Sequence, residues 1–343
     1  MFFAADEAYL PLAWIAARQA AAERNRNFDV AVLVEREVRF VPPFVPPFVP
    51  PFVPPGGVRV IEIDLPEALA RWKVPAHMSK MSYARLAAPD LWLGAYERAL
   101  YLDCDIRILG PLAPLFELEL GKPAGAMLGM VQDCGRFLRD GPEDEWWVGY
   151  RRSVRQDPDL PYFNAGVMLI DCAAWRAARG WETAAAYIED QGERLVFMDQ
   201  DAVNHVAAGR IVELPARWNF QTHYFGLGLE AELDPVILHY VNVLKPWRDA
   251  EWSLVHAPSH AEAFAALFAD SPWAGVAMPP RRISDQDVAA HVAWVRGLGP
   301  RLAEAVPRIR SEGVAVGKAK SLRPARGFFG RRFWASLLAG GGF

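Results

Sequence analysis

Long apolar runs are missing from this 343-residue chain. A membrane-spanning helix needs ~20 consecutive apolar residues, and no stretch supplies them, so the chain is expected to be soluble or peripherally attached. Cysteine is scarce. Cys104, Cys134 and Cys172 are odd in number and show no C-x-x-C spacing. Neither a disulfide framework nor a zinc knuckle is indicated, and a reducing, cytoplasmic setting fits best. A large excess of one charge is also missing: the formal net charge is −4, so whole-chain electrostatics imply no nucleic-acid partner. The N-terminus lacks a basic region, and Asp6 and Glu7 interrupt its apolar start, so no signal peptide is expected.

What is present is a large apolar content. Hydrophobic residues make up 52% of the chain, enough for one sizeable domain or one domain with appendages. Met1 to Ala5 reads as a first strand. A helix follows, with Leu12, Ile15, Ala16 and Ala20 at helical spacing. Asp29 to Val34 is a second strand and Val58 to Ile63 a third. An opening of strand, helix and strand implies a parallel sheet built from βαβ units. Between the second and third strands, residues 40–55 repeat Phe-Val-Pro-Pro four times. Proline fixes φ and removes amide donors, so this insertion is expected to be polyproline II or disordered. It reads as an expanded surface loop, with a docking arm as the alternative.

Further along, Ser79 to Ala88 reads as a helix ended by Pro89, and Leu100 to Leu102 as a strand. Ala124 to Val131 and Phe163 to Ile170 are two more strands. Helices are expected around Ala173 to Arg179, Trp181 to Gln191 and Asp199 to Ala208, and a last strand over Ile237 to Tyr240. Beyond about Trp273 the pattern is helical and increasingly basic. The expected division is a catalytic unit over 1–272 and a helical C-terminal region with a basic, aromatic tail over 273–343. From Arg301 onward only Glu304 and Glu312 oppose the basic residues. Phe328, Phe329, Phe333 and Trp334 interleave with Arg331 and Arg332, a mixture suited to an anionic membrane surface.

Four segments carry chemistry. Asp103-Cys104-Asp105 follows the apolar Leu100, Tyr101 and Leu102. Residues i and i+2 of an extended chain point to one side, and two carboxylates on one side call for a cation. Phe163-Asn164-Ala165-Gly166 joins a polar turn to an apolar strand; Asn164 offers a donor and an acceptor, and Gly166 lets another group approach the backbone. Met198-Asp199-Gln200-Asp201 opens a helix, where one acid would suffice as a cap and the rest suggest a polar pocket floor. Finally, His239 ends an apolar run six residues before Lys245-Pro246-Trp247. An imidazole can complete a metal site begun by carboxylates, and a lysine can neutralise a departing diphosphate.

With these segments in this order, the chain resembles glycosyltransferase family 8, retaining enzymes of the GT-A fold that include glycogenin and bacterial lipopolysaccharide galactosyl- and glucosyltransferases. The resemblance runs from about Phe3 to Trp247 and includes Phe3-Ala4-Ala5-Asp6 and Ser82-Tyr83-Ala84-Arg85-Leu86. It implies an α/β fold with a Rossmann-like, mostly parallel central sheet flanked by helices. It implies that Asp103, Asp105 and His239 bind Mn²⁺, with Mg²⁺ as the alternative. Ala4 and Asp6 would line the uracil and ribose pocket, with Asp103 touching the ribose as well. Arg85, Asp133, Asn164, Ala165 and Asp199 would hold the donor sugar, and Gln200 would lie beneath the anomeric carbon. Lys245 would contact the diphosphate, Asp201 would leave double displacement open, and His77 would stand near the donor or the acceptor. Ala8 and Asn242 depart from the family pattern, at a nucleotide contact and beside the metal histidine. The implied reaction moves a hexose from UDP-glucose or UDP-galactose to a saccharide or glycolipid acceptor at the cytoplasmic face of the inner membrane. Two other readings stay open at this point: a nucleotidyltransferase that uses the same paired acids, and a non-catalytic nucleotide-sugar-binding protein.

Overall fold

The protein is described from a computed structural model, which covers residues 1–23, 26–36, 57–72, 74, 79–120, 125–135, 142–241, 243–276, 278, 281 and 283–319. The proline repeat, His77, Asn242 and the aromatic tail lie outside these residues.

Among the described residues seven strands form the central sheet: β1 Phe2–Ala5, β2 Val30–Glu35, β3 Val58–Ile63, β4 Arg98–Leu102, β6 Leu128–Gln132, β7 Phe163–Asp171 and β8 Ile211–Glu213. Their order is β3-β2-β1-β4-β7-β6-β8. Only β7 runs against its neighbours, β4 and β6; the other pairings in this sheet are parallel. A smaller sheet, in the order β5-β10-β9, contains β5 Ile106–Ile108, β9 Phe220–Gln221 and β10 Ile237–His239.

The alternation of strand residues builds two cores. Phe3, Ala5, Leu100, Leu102, Val167 and Leu169 face one layer, which includes the helix Leu10–Ala21. Phe2, Ala4, Tyr101, Met168 and Ile170 face the other, where the helices Ala84–Leu91, Gly180–Gln191 and Met198–Val206 pack. A strand covered on both faces is apolar at nearly every position, which is why β2, β4 and β7 are so uniform. Each fully buried side chain of the size of Phe2 or Phe3 stabilises the fold by roughly 1.5–3 kcal/mol. The helix Asp285–Ala319 adds Val288, Val292 and Ile309 to the first core.

Two expectations change. Pro89 does not end its helix; it lies inside Ala84–Leu91, after a tight turn over Lys80–Tyr83. Proline costs the helix one amide donor. That loss falls near the end, and Trp92 N still donates to Ala88 O at 3.1 Å. The strand expected from Ala124 begins only at Leu128, where pairing with β7 and β8 starts. The other strands and helices lie within a few residues of expectation. Among the described residues no helix is long and apolar enough to cross a membrane.

Candidate metal centre

Strand order reverses between β1 and β4, so their carboxyl ends flank a crevice of the kind in which open α/β sheets bind ligands. β4 leaves the large sheet at Leu102, and β5 enters the small one at Ile106. Asp103, Cys104 and Asp105 fill that crossing. Asp103 N donates to Gly166 O of β7 at 2.8 Å, and Asp105 O accepts from Tyr240 N at 2.9 Å. One acid is thereby pinned to each sheet. His239, the last residue of β10, pairs with Ile106 and so stands beside both acids. The Cys104 thiol reaches Ala4 O at 3.3 Å, which ties the end of β1 to the same point.

One ligand atom each from Asp103, Asp105 and His239 lies within 4.8 Å of the others. Each acid turns one oxygen inward. Asp103 Oδ2 is 3.5 Å and Asp105 Oδ1 3.4 Å from His239 Nε2. The outward oxygens are held by donors: Asp103 Oδ1 by Tyr101 Oη at 2.6 Å and Arg85 Nη2 at 2.8 Å, Asp105 Oδ2 by Lys245 Nζ at 2.7 Å. Two carboxylate oxygens and an imidazole nitrogen suit a divalent cation in charge and chemistry. The backbone makes room for them at Gly166. A Cβ there would stand 2.1 Å from His239 Cε1 and 2.9 Å from Asp103 Oδ2, so no other residue fits without displacing a ligand. The residues present therefore fit a bound divalent metal.

The surrounding charges are set by burial and pairing. Burial works to raise the Asp105 carboxyl, but Lys245 and His239 outweigh it and hold the group below the usual carboxylate range. Burial alone would lower the Arg85 guanidinium; Asp103 and Asp199 reverse this and hold it above its ordinary value. Arg85 also lies 4.3 Å over the Tyr101 ring. Burial raises the Asp199 carboxyl, and Arg85 offsets part of that rise.

The expected sugar-binding residues are contiguous with this cluster. Arg85 Nη1 donates to Ala165 O at 2.7 Å. Ala165 N donates to Gln200 Oε1 at 3.0 Å. Asp133 Oδ2 accepts from Asn164 Nδ2 at 3.3 Å and from Gln200 Nε2 at 3.4 Å. Asp199 Oδ2 is 2.8 Å from Arg85 Nε, but that N–H donates to Ser82 O instead. The contact is one of charge only, and Asp199 Oδ2 stays buried without a hydrogen bond.

Other expected residues are held as follows. Asp201 is fully buried and turned away from the cluster. Its oxygens accept from Tyr150 Oη at 2.6 Å, Tyr162 Oη at 2.7 Å and Phe197 N at 2.8 Å. Three donors and no exposed surface hold it in the interior. Asp6 Oδ1 accepts from Tyr9 N at 3.0 Å and steadies the start of the first helix, while Ala4 is held in β1 against Leu33. Asn219, which sequence reasoning missed, contacts His239 Nδ1 at 2.8 Å through its Oδ1. Its signal was faint: Asn219 and Gln221 alternate with Trp218 and Phe220 in a short buried stretch.

A galactosyltransferase, LgtC, solved with donor and acceptor sugar analogs, superposes with a TM-score of 0.59 at 24% identity, covering 84% of this chain and 98% of that one. The fold is the GT-A fold, with its Rossmann-like, mostly parallel sheet. The profile of glycosyl transferase family 8 matches residues 57–251, more than half of the sequence, and the chain belongs to that family. Among curated relatives, General stress protein A of Bacillus subtilis (strain 168) is 29% identical over 188 residues, 50% of this chain and 60% of that protein. The lipopolysaccharide glucosyltransferase WaaO of Escherichia coli (strain K12) is 26% identical over 212 residues, 60% of this chain and 58% of that protein. The chain thus spans less than two thirds of either relative.

Proposed function

We propose that this protein is a metal-dependent, retaining hexosyltransferase that moves glucose or galactose from a UDP-sugar to a saccharide acceptor, in lipopolysaccharide or other surface-glycan synthesis. The observation that carries this reading is the meeting of Asp103, Asp105 and His239 beside Lys245, Arg85, Asn164 and Gln200 where the chain crosses from the large sheet to the small one. Family membership and the names of relatives such as WaaO support the choice of donor and acceptor.

The two acids and His239 would hold Mn²⁺, or Mg²⁺ in its place. When bound, the cation supplies Lewis-acid help and neutralises charge on the diphosphate leaving group. The protein's own residues do the rest. Ala4 and Asp6 line the nucleoside side of the crevice. Lys245, buried beside Asp105, offers a second positive charge to the diphosphate as it departs. Asp199 Oδ2 accepts from a hydroxyl of the donor sugar, while Arg85, Asp133, Asn164 and Ala165 fix its orientation. Gln200 is held on both ends of its amide and lies under the anomeric carbon, where its dipole stabilises an oxocarbenium-like state. A carboxamide is a poor nucleophile and Asp201 is enclosed. This arrangement favours same-face attack, with the departing phosphate taking the acceptor's proton.

Residues 1–272 would form the catalytic unit. Residues 273–343 would add a helical region whose basic, aromatic end holds the protein to the cytoplasmic face of the inner membrane. The test of function is direct. Purified protein is incubated with UDP-glucose or UDP-galactose and Mn²⁺, and UDP is measured with and without EDTA. Metal-dependent release is expected. Release that ignores EDTA rejects the metal role, and formation of UDP-sugar and pyrophosphate from UTP and sugar phosphate would mark a nucleotidyltransferase instead.

A further inference from the structure

Asn219 follows the helical turn Ala216–Trp218, immediately precedes β9, and is fully buried. It belongs to a chain of amides whose direction can be read from its fixed ends. Gly166 N–H can only donate, and it donates to Asn164 Oδ1 at 3.0 Å. At the other end of the same amide, Asn164 Nδ2 donates to the Asp133 carboxylate. Both contacts place the oxygen of Asn164 toward Asn219. Asn219 must then present its NH₂ group to that oxygen, and the distance is 2.8 Å. Its own oxygen is left facing His239 Nδ1 at 2.8 Å. An amide oxygen only accepts, so Nδ1 carries the proton. In the neutral ring the lone pair is then on Nε2, the atom turned toward Asp103 Oδ2 and Asp105 Oδ1.

We infer that Asn219 is a positioning residue that fixes the Nδ1–H tautomer of His239 and so makes Nε2 available to a divalent cation. The inference rests on the metal-binding reading of the site, and is independent of which sugar is moved or which acceptor receives it. A partner on the second ring nitrogen sets both the orientation and the tautomer of a ligating imidazole. Here that partner is neutral, and it is itself held by Asn164, a residue of the proposed sugar pocket. One row of amides thus joins the floor of the sugar pocket to the metal ligand.

The test has two arms, neither of which reads sugar transfer. In the first, the full chain is labelled with ¹⁵N-histidine, and two-bond ¹⁵N–¹H couplings report the His239 tautomer without metal, with His239→Gln to assign the signal. The Nδ1–H form is expected; the Nε2–H form overturns the inference. In the second, Mn²⁺ affinity is measured by electron paramagnetic resonance of the free ion, without nucleotide, for the parent, Asn219→Leu and Asn219→Asp. The leucine variant is expected to bind about 10–100-fold more weakly. The aspartate variant keeps an acceptor for Nδ1 and is expected to lose less. Folded variants that bind within twofold of the parent, or equal losses in both, overturn the inference and leave Asn219 a packing residue. A parent that binds no Mn²⁺ sinks the metal reading itself, which the tautomer arm does not depend on. If the leucine variant does not fold, the tautomer measurement decides.

Discussion

Two of the chain's Asp-x-Asp pairs, Asp103-Cys104-Asp105 and Asp199-Gln200-Asp201, bear candidate site residues, and the fold uses them in opposite ways. The first lies in the bend where the chain leaves β4 of the large sheet and enters β5 of the small one. Its acids converge on His239 and keep one oxygen each turned inward. The second opens the helix Met198–Val206, where residues two apart point to widely separated sides. Asp199 reaches the Arg85 guanidinium, and Asp201 turns into a cage of Tyr150, Tyr162 and the Phe197 amide. The same spacing therefore brings the acids together on one backbone and separates them on the other. Within the second pair, Gln200 between the acids is the residue presented with Asp133 and Ala165.

Substitutions can break this contrast. Asp105→Asn should have the largest effect. Metal assistance is worth several kcal/mol, and about 1.4 kcal/mol is a tenfold change, so UDP release should fall by at least about 1000-fold. The variant should still melt cooperatively; activity near that of the parent would remove Asp105 from the site. Gly166→Ala comes next. Its added methyl would press on His239 and Asp103, and Mn²⁺ affinity should fall by about 100-fold, with an overpacking cost of about 1–3 kcal/mol in chemical denaturation.

Asp201→Asn should behave differently, lowering stability by about 1–3 kcal/mol through its buried tyrosine contacts while kcat changes by less than about tenfold. A loss of turnover like that of Asp105→Asn, with stability intact, would return Asp201 to the chemistry. The smallest effect is in pH dependence. Burial raises the Asp201 carboxyl, more than the tyrosine hydroxyls lower it, so its ionisation opposes folding as pH climbs above the unfolded value of about 4. For Asp105 the folded value lies below the unfolded one, so its contribution is present above about pH 4 and is lost as pH falls. In EDTA, the stability deficit of Asp201→Asn should therefore shrink as pH rises above 4. That of Asp105→Asn should grow as pH rises toward 4. Denaturation curves across this range measure both.

Much of the site was legible because its residues end apolar runs. Asp103 follows Leu100–Leu102, His239 follows Val236–Leu238, and Asn164 opens a buried strand, so each marks a strand end in one dimension. The strands over 30–35 and 58–63 were legible for the same reason. The reversed direction of β7 was not, since an apolar run reads alike either way along a sheet. Strands β5, β8 and β9, of two or three residues, are too short to show a period. The cage around Asp201 was hidden because Tyr150 lies 51 positions away in sequence, and only packing brings it close. Asn219 was hidden likewise, since its meaning lies in one contact with a ring 20 positions downstream.

The most direct measurement is anomalous scattering from crystals of the protein grown with Mn²⁺. A single strong peak between the inward oxygens of Asp103 and Asp105 and Nε2 of His239 is the predicted result. A fully occupied peak elsewhere, with Lys245 still bound to Asp105 and nothing beside His239, would contradict the account.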